Sequence, residues 1–221
     1  MDKYKNEVVV LSFDIERSGS RSQDQTIAIG ASVVDSDFIQ LDSLFTYSYV
    51  PGVTTFEERA WNEFWVKNLD ILEQLEYKGP LNLHDREFEM ISQFHEFRKK
   101  WELKTNNNLI LCNDNSPFDV HYLNELYGKY LPNVLPMPYT AHSQEYSPLW
   151  ETHSIQKGLL AAVIPSFTSN WGFTDKIKEI YNVPKMPETM THNHLPHHDA
   201  YTIATEMHVL MKIQKGEIKL K

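Results

Sequence analysis

The chain has 221 residues, of which 41% are hydrophobic and 12% aromatic, and a formal net charge of −9. This length buries a full core and predicts a single domain over residues 1–221, and the composition excludes a disordered chain. The acidic balance excludes sequence-blind coating of nucleic acid, which depends on excess Lys and Arg.

Residues 7–14 form an apolar, β-branched run that predicts a buried strand, and the polar stretch Arg17 to Gln25 predicts a turn. Thr26 to Asp35 predicts a second strand. Leu44 to Val50 alternates apolar and polar residues and predicts a third, ended by Pro51-Gly52. Three strands with short links predict an antiparallel meander. Residues 57–76 carry Trp61, Phe64, Trp65, Leu69, Leu72 and Leu75 at helical spacing. Residues 85–103 repeat the pattern with Phe88, Ile91, Phe94 and Phe97, with Asp85 as N-cap. A short fourth strand is expected at Leu109 to Cys112, then a helix over 118–130. The proline-bearing stretch 131–150 reads as irregular, with a fifth strand near Tyr139 to His142. Helices are expected over 153–162, 174–182 and 199–215, the last burying Ile203, Met207, Leu210, Met211 and Ile213. This order predicts an α/β fold: a mixed sheet with helices on both faces.

Three acidic patches stand at the edges of these elements. Asp14 and Glu16 are two apart where the first strand emerges, so both carboxylates point to one side of the sheet. Like charges this close oppose each other unless a cation lies between them. Asp119 follows Asn115-Ser116-Pro117-Phe118 at the start of a helix, where the helix dipole also favours an acid. Asp199 opens the last helix, five residues after His194 in the stretch His192 to His198. A histidine can accept a proton from water near neutral pH. His192, His197 and His198 read as an exposed polar loop. A zinc site built from them is the rival metal reading, but Pro196 interrupts helical His spacing and Cys112 lies in the apolar run Leu109-Ile110-Leu111-Cys112. Arg17, Arg21, Lys99, Lys100 and Lys104 are candidates for a confined basic rim. Trp61, Phe64 and Trp65 could stack on bases, although an aromatic stripe at helical spacing more often builds core.

Taken together, these motifs resemble those of the DEDDh 3′–5′ exonucleases of the ribonuclease H-like fold, which include proofreading exonucleases, RNase T and oligoribonuclease. Phe13-Asp14-Ile15-Glu16 is similar to the first motif of that family, Asn115-Ser116-Pro117-Phe118-Asp119 to the second, and His194 to Asp199 with Ala200 to the third. Ile27-Ala28-Ile29-Gly30-Ala31 resembles its second strand. The chain departs at Arg17-Ser18, where many members have Thr or another small residue. Segment 51–105 is large for minimal members and reads as a helical insertion or substrate wall.

The resemblance implies a mixed five-stranded sheet and two-metal hydrolysis. Asp14, Glu16 and Asp199 would hold the first Mg²⁺ or Mn²⁺, with Asp14 bridging to a second that Asp119 assists, the ions roughly 4 Å apart. His194 would be the general base. Ile15, Arg17, Asn115 and Phe118 would meet the substrate, a single-stranded DNA or RNA 3′ end, and release nucleoside 5′-monophosphates. The alternative is a proofreading or accessory subunit acting mainly as an interaction module, as a homodimer or beside a polymerase or other complex partner. The charged stretch Met1 to Glu7 has no apolar centre of a signal peptide, and no apolar run spans a bilayer. With one cysteine, the expectation is a soluble cytoplasmic or nuclear protein with no membrane partner.

Overall fold

The structure is a computed structural model that describes residues 4, 7–80, 82–106, 108–131, 149–164, 172–184 and 193–221. Strand β1 (Val9–Arg17) pairs antiparallel with β2 (Thr26–Val34), which pairs antiparallel with β3 (Gln40–Tyr47). On its other edge β1 pairs parallel with β4 (Leu109–Asn113), and β4 with β5 (Leu149–Glu151). The order β3-β2-β1-β4-β5 is the mixed five-stranded sheet that the sequence predicts.

Side chains alternate along β1, and the two faces meet different helices. Val9, Leu11, Phe13 and Ile15 join one core with Met90, Ile91, Phe94 of α3 (Leu83–Lys104) and Leu123 of α4 (Ser116–Tyr130). On the opposite face, Val10 packs with Ile203, Ala204 and Met207 of α7 (Pro196–Gln214), and the Ser12 hydroxyl donates to the Ala200 carbonyl. Asp14 and Glu16 share the parity of Val10 and Ser12, so they emerge on the α7 side. Beside α7, α5 (Thr152–Val163) and α6 (Phe173–Ile180) bury Leu160, Phe173 and Ile177 against Val209 and Ile213.

The segment predicted as one helix over 57–76 is instead broken into α1 (Glu58–Glu63), a 3₁₀ turn at Trp65–Lys67 and α2 (Leu69–Gln74). Two bonds, one long-range and one local, compete with a continuous helix. Trp65 turns inward and its Nε1 donates to the Arg17 carbonyl at 3.0 Å, while Asn68 Nδ2 donates to the Phe64 carbonyl at 2.9 Å. The apolar positions still serve as core. Trp65, Ile71, Leu72 and Leu75 pack on Ile27, Ala28 and Leu195, next to His194 in the chain.

Other boundaries differ for equally local reasons. β3 ends before Val50, and it begins earlier because the β2–β3 turn is tight: Asp35 Oδ1 accepts from the Asp37 and Ile39 N–H groups, both at 3.0 Å. The N-cap of α3 is Asn82, not Asp85. The Asp85 N–H donates to Asn82 Oδ1 at 3.0 Å, and Asn82 Nδ2 reaches back to Asp85 Oδ2 at 2.9 Å, a reciprocal cap. α4 and α7 start earlier than expected, each with a proline in its first turn, where the missing N–H costs nothing. The fifth strand is at Leu149–Glu151; the expected position near Tyr139 to His142 lies outside the described residues, as does His192. Cys112 is buried, as expected.

Candidate metal centre and cleft

Separate stretches of the chain deliver the acids to one place. β1 presents Asp14 and Glu16. The β4–α4 junction presents Asp114 and Asp119, and Asp119 is only 2% exposed. Asn113 Nδ2 donates to Asp119 Oδ2 at 3.2 Å, and the Asp119 N–H closes the first helical turn on the Asn115 carbonyl at 2.9 Å. Asp199 comes from the first turn of α7 and accepts the Asn193 N–H at 3.2 Å.

Gly30 sets how near α7 comes. It stands opposite Asp14 in the β1–β2 register. A Cβ on Gly30 would lie 2.1 Å from backbone atoms of Pro196 and His197, so only glycine lets the first turn of α7 rest on β2. The chain enters α7 through a sharp turn in which Asn193 Oδ1 accepts the Leu195 N–H at 3.1 Å. His194 takes a left-handed φ of 59°, a conformation in which histidine is enriched among non-glycine residues. Its Nδ1 is 3.9 Å from Glu16 Oε1, and Phe64 meets the ring edge-on at 4.6 Å.

Two groups of ligand-bearing side chains result: Asp14, Asp114 and Asp119, and Glu16, His194 and Asp199. Within each group the donor atoms lie within 4.8 Å of one another. Burial, then the charges of Asp119, Glu16, Asp114 and Asp199, hold the Asp14 carboxyl well above the usual carboxylate range. Burial also raises Glu16, followed by Asp199 and Asp119. Asp119 is raised by burial and by Asp114, against the lowering effect of the bonds from Asn113 and at Asn115. Packed acids that oppose one another's ionisation are stabilised as anions by a cation among them. An oxygen-rich donor set with one imidazole suits hard divalent ions, so the residues present fit such ions.

These groups open into a cleft of about 540 Å³, within the size range of small-molecule sites. Asp14, Glu16, Asp119 and His194 line it, together with Ile15, Asn115 and Phe118. Asp199 belongs to the cluster behind the lining. Arg17 is placed differently. The residue is 6% exposed; its guanidinium donates to the carbonyls of Gly19, Arg21 and Asp24 and to Thr26 Oγ1, and lies 3.3 Å over the Tyr122 ring. It braces the loop 18–25, and its placement gives no support to a substrate contact. The expected basic rim does not form around the cleft either. Lys100 pairs with Asp42 at 2.6 Å, Lys99 with Glu102 at 3.3 Å, Arg21 with Asp24 at 2.9 Å, and Lys104 lies 4.4 Å over Trp101.

His197 and His198 are half-buried in the first turn of α7 and do not form an exposed loop. The His197 ring lies 4.3 Å from Phe45 and 4.0 Å from His198, and burial pulls its pKa down to about 4. Neither joins a ligand group among the described residues, so the zinc reading has no site among them. Asp114 was not predicted. Its only sequence signal is its position just past β4, at the carboxyl ends of parallel strands where ligands commonly bind. Lys157, on α5, was also missed, because its helix is brought to the cleft only by folding.

No family model and no curated protein matches the chain. Solved structures of exonuclease I do match in fold. One, concerned with how processivity is achieved, superposes at a TM-score of 0.58 with 15% identity over 96% of this chain and 42% of that one. Exonuclease I of E. coli in complex with a 5cy-dT13 oligonucleotide gives 0.56 and 15%, with the same coverage. The zinc-bound complex of E. coli exonuclease I with single-stranded DNA gives 0.56 and 16%, again over 96% and 42%. The chain therefore has the exonuclease I fold and spans less than half the length of those proteins.

Proposed function

We propose that this chain is a metal-dependent 3′–5′ exonuclease that removes nucleoside 5′-monophosphates from single-stranded nucleic acid. The observation that carries the reading is the convergence of Asp14, Glu16, Asp119, His194 and Asp199, from distant parts of the sequence, at one cleft. The likeness in fold to exonuclease I, which is seen elsewhere with single-stranded DNA, supports it and favours DNA as the substrate.

In this reading Asp14, Asp114 and Asp119 would hold one Mg²⁺ or Mn²⁺, and Glu16 and Asp199 the other, with Asp14 shared. Bound there, the cations supply Lewis acidity: positive charge against the phosphate oxygens and a more acidic water. His194 takes the proton from the attacking water at its imidazole nitrogen. The left-handed backbone at His194 and the edge of Phe64 hold that ring beside Glu16. Ile15, Asn115 and Phe118 would form the walls against the terminal nucleotide. Segment 51–105 would wall the histidine's side, a role supported by Phe64 and by the packing of Trp65 beneath the loop.

The test is to incubate chelator-treated protein with 5′- and 3′-labelled single-stranded DNA and RNA, with and without Mg²⁺ or Mn²⁺. The reading expects metal-dependent shortening of the 5′-labelled strand in single-nucleotide steps and early loss of the 3′ label as a mononucleotide. Internal cuts, or no cleavage of any strand with either metal, contradict it.

A further inference from the structure

Asp14, Glu16, Asp114 and Asp119 line the β1 and β4 side of the cleft, and α5, whose N-cap Glu151 also lines it, follows β5 at the other edge of the site. From α5, His153, Ser154 and Lys157 line the cleft, with His153 and Lys157 one helical turn apart on one face. Among the described residues that line the cleft, Lys157 is the only lysine or arginine. It is exposed, and its ammonium lies 5.2 Å over the ring of Phe173, which is 3% exposed and also packs 5.4 Å from His153.

The helix beneath Lys157 is fixed. Glu151 caps it by accepting the Ser154 N–H at 2.6 Å, and Thr152 Oγ1 donates to the Asn113 carbonyl at 3.3 Å, joining α5 to the strand that leads to Asp114 and Asp119. One turn in, buried Gln156 donates to Thr174 and Glu206, both at 3.3 Å, locking α5 to α6 and α7. An ammonium that lines the same cleft as an acidic cluster suits a phosphate other than the one at the cluster, because opposite charge attracts and the acids repel any second anion.

We propose that Lys157 grips the backbone phosphate immediately 5′ of the scissile one. This rests on the 3′–5′ exonuclease reading. In a substrate with a free 3′ hydroxyl, the scissile phosphate is the last, so every other phosphate lies on its 5′ side. The structure thus assigns to Lys157 the recognition of chain length: a dinucleotide offers it nothing, and a trinucleotide offers it one phosphate.

The experiment compares initial kcat/KM for a dinucleotide and a trinucleotide, both with free 5′ hydroxyls, in wild type, Lys157→Gln and Lys157→Arg. Wild type is expected to favour the trinucleotide. Lys157→Gln is expected to erase roughly 10- to 100-fold of that preference, the worth of one charge-assisted contact, and Lys157→Arg to retain most of it. On longer strands the salt slope of kcat/KM should become shallower by about 0.7 in Lys157→Gln, the loss of a single-strand phosphate contact. An unchanged preference in Lys157→Gln, or equal loss on both substrates, overturns the assignment while leaving the nuclease reading intact. A wild type that cleaves neither substrate with Mg²⁺ or Mn²⁺ overturns both.

Discussion

Asp14 and Glu16 sit on the α7 face of β1, each with its pKa raised by burial and by neighbouring acids. An acid with a raised folded pKa binds its proton more tightly in the folded chain. Its contribution to stability is present at pH below the ordinary carboxylate range and is lost as the pH rises through the raised value. In chelator at neutral pH, Asp14→Asn should therefore melt above wild type, with the gap closing as the pH falls below about 4, where the unfolded chain takes up the proton as well. Thermal melts across that range check this; a gap that stays constant with pH would mean that the fold does not raise the Asp14 carboxyl. The same variant should lose hydrolysis, because its amide replaces an anionic ligand. His194→Gln separates base from ligand: turnover should fall about 10²- to 10⁴-fold while Mn²⁺ affinity persists. Loss of Mn²⁺ binding in a calorimetric titration would instead make His194 a ligand.

Gly30 is where two elements touch, since β2 and the first turn of α7 meet there backbone to backbone. Gly30→Ala must push α7 away from β2, and with it Asp199 and the turn that holds His194. It should lose about 1–3 kcal/mol of stability in urea unfolding, and Mn²⁺ affinity with it. Unchanged affinity together with normal stability would show that α7 reaches the site without this close approach. Such contacts explain what could be read from the sequence. β1 and β2 were legible because continuous apolar runs mark buried strands, and the face of the last helix because a period of 3.6 reports burial directly. The break within 57–76 was not, because the same apolar spacing serves one helix or three short turns, and the bonds from Trp65 and Asn68 decide between them. The Asn82–Asp85 cap was off by one partner, because both residues take part in it.

Across the molecule, one sheet gathers residues that lie nearly the whole chain apart. The carboxylates and His194 were legible only as an ordered set, since each alone is a plausible strand edge or helix start. Asp114 and Lys157 were not legible, because their roles depend on which neighbours folding brings to them. The described helices include none long and apolar enough to cross a membrane. The chain covers 42% to 45% of two of the exonuclease I chains it superposes on, and the likeness is one of fold. The most direct measurement is anomalous diffraction at the manganese edge from crystals of this protein soaked in Mn²⁺. The account predicts two peaks in the cleft, one against Asp14, Asp114 and Asp119 and one against Glu16 and Asp199. An empty cleft at millimolar Mn²⁺, or a peak only elsewhere on the surface, would contradict it.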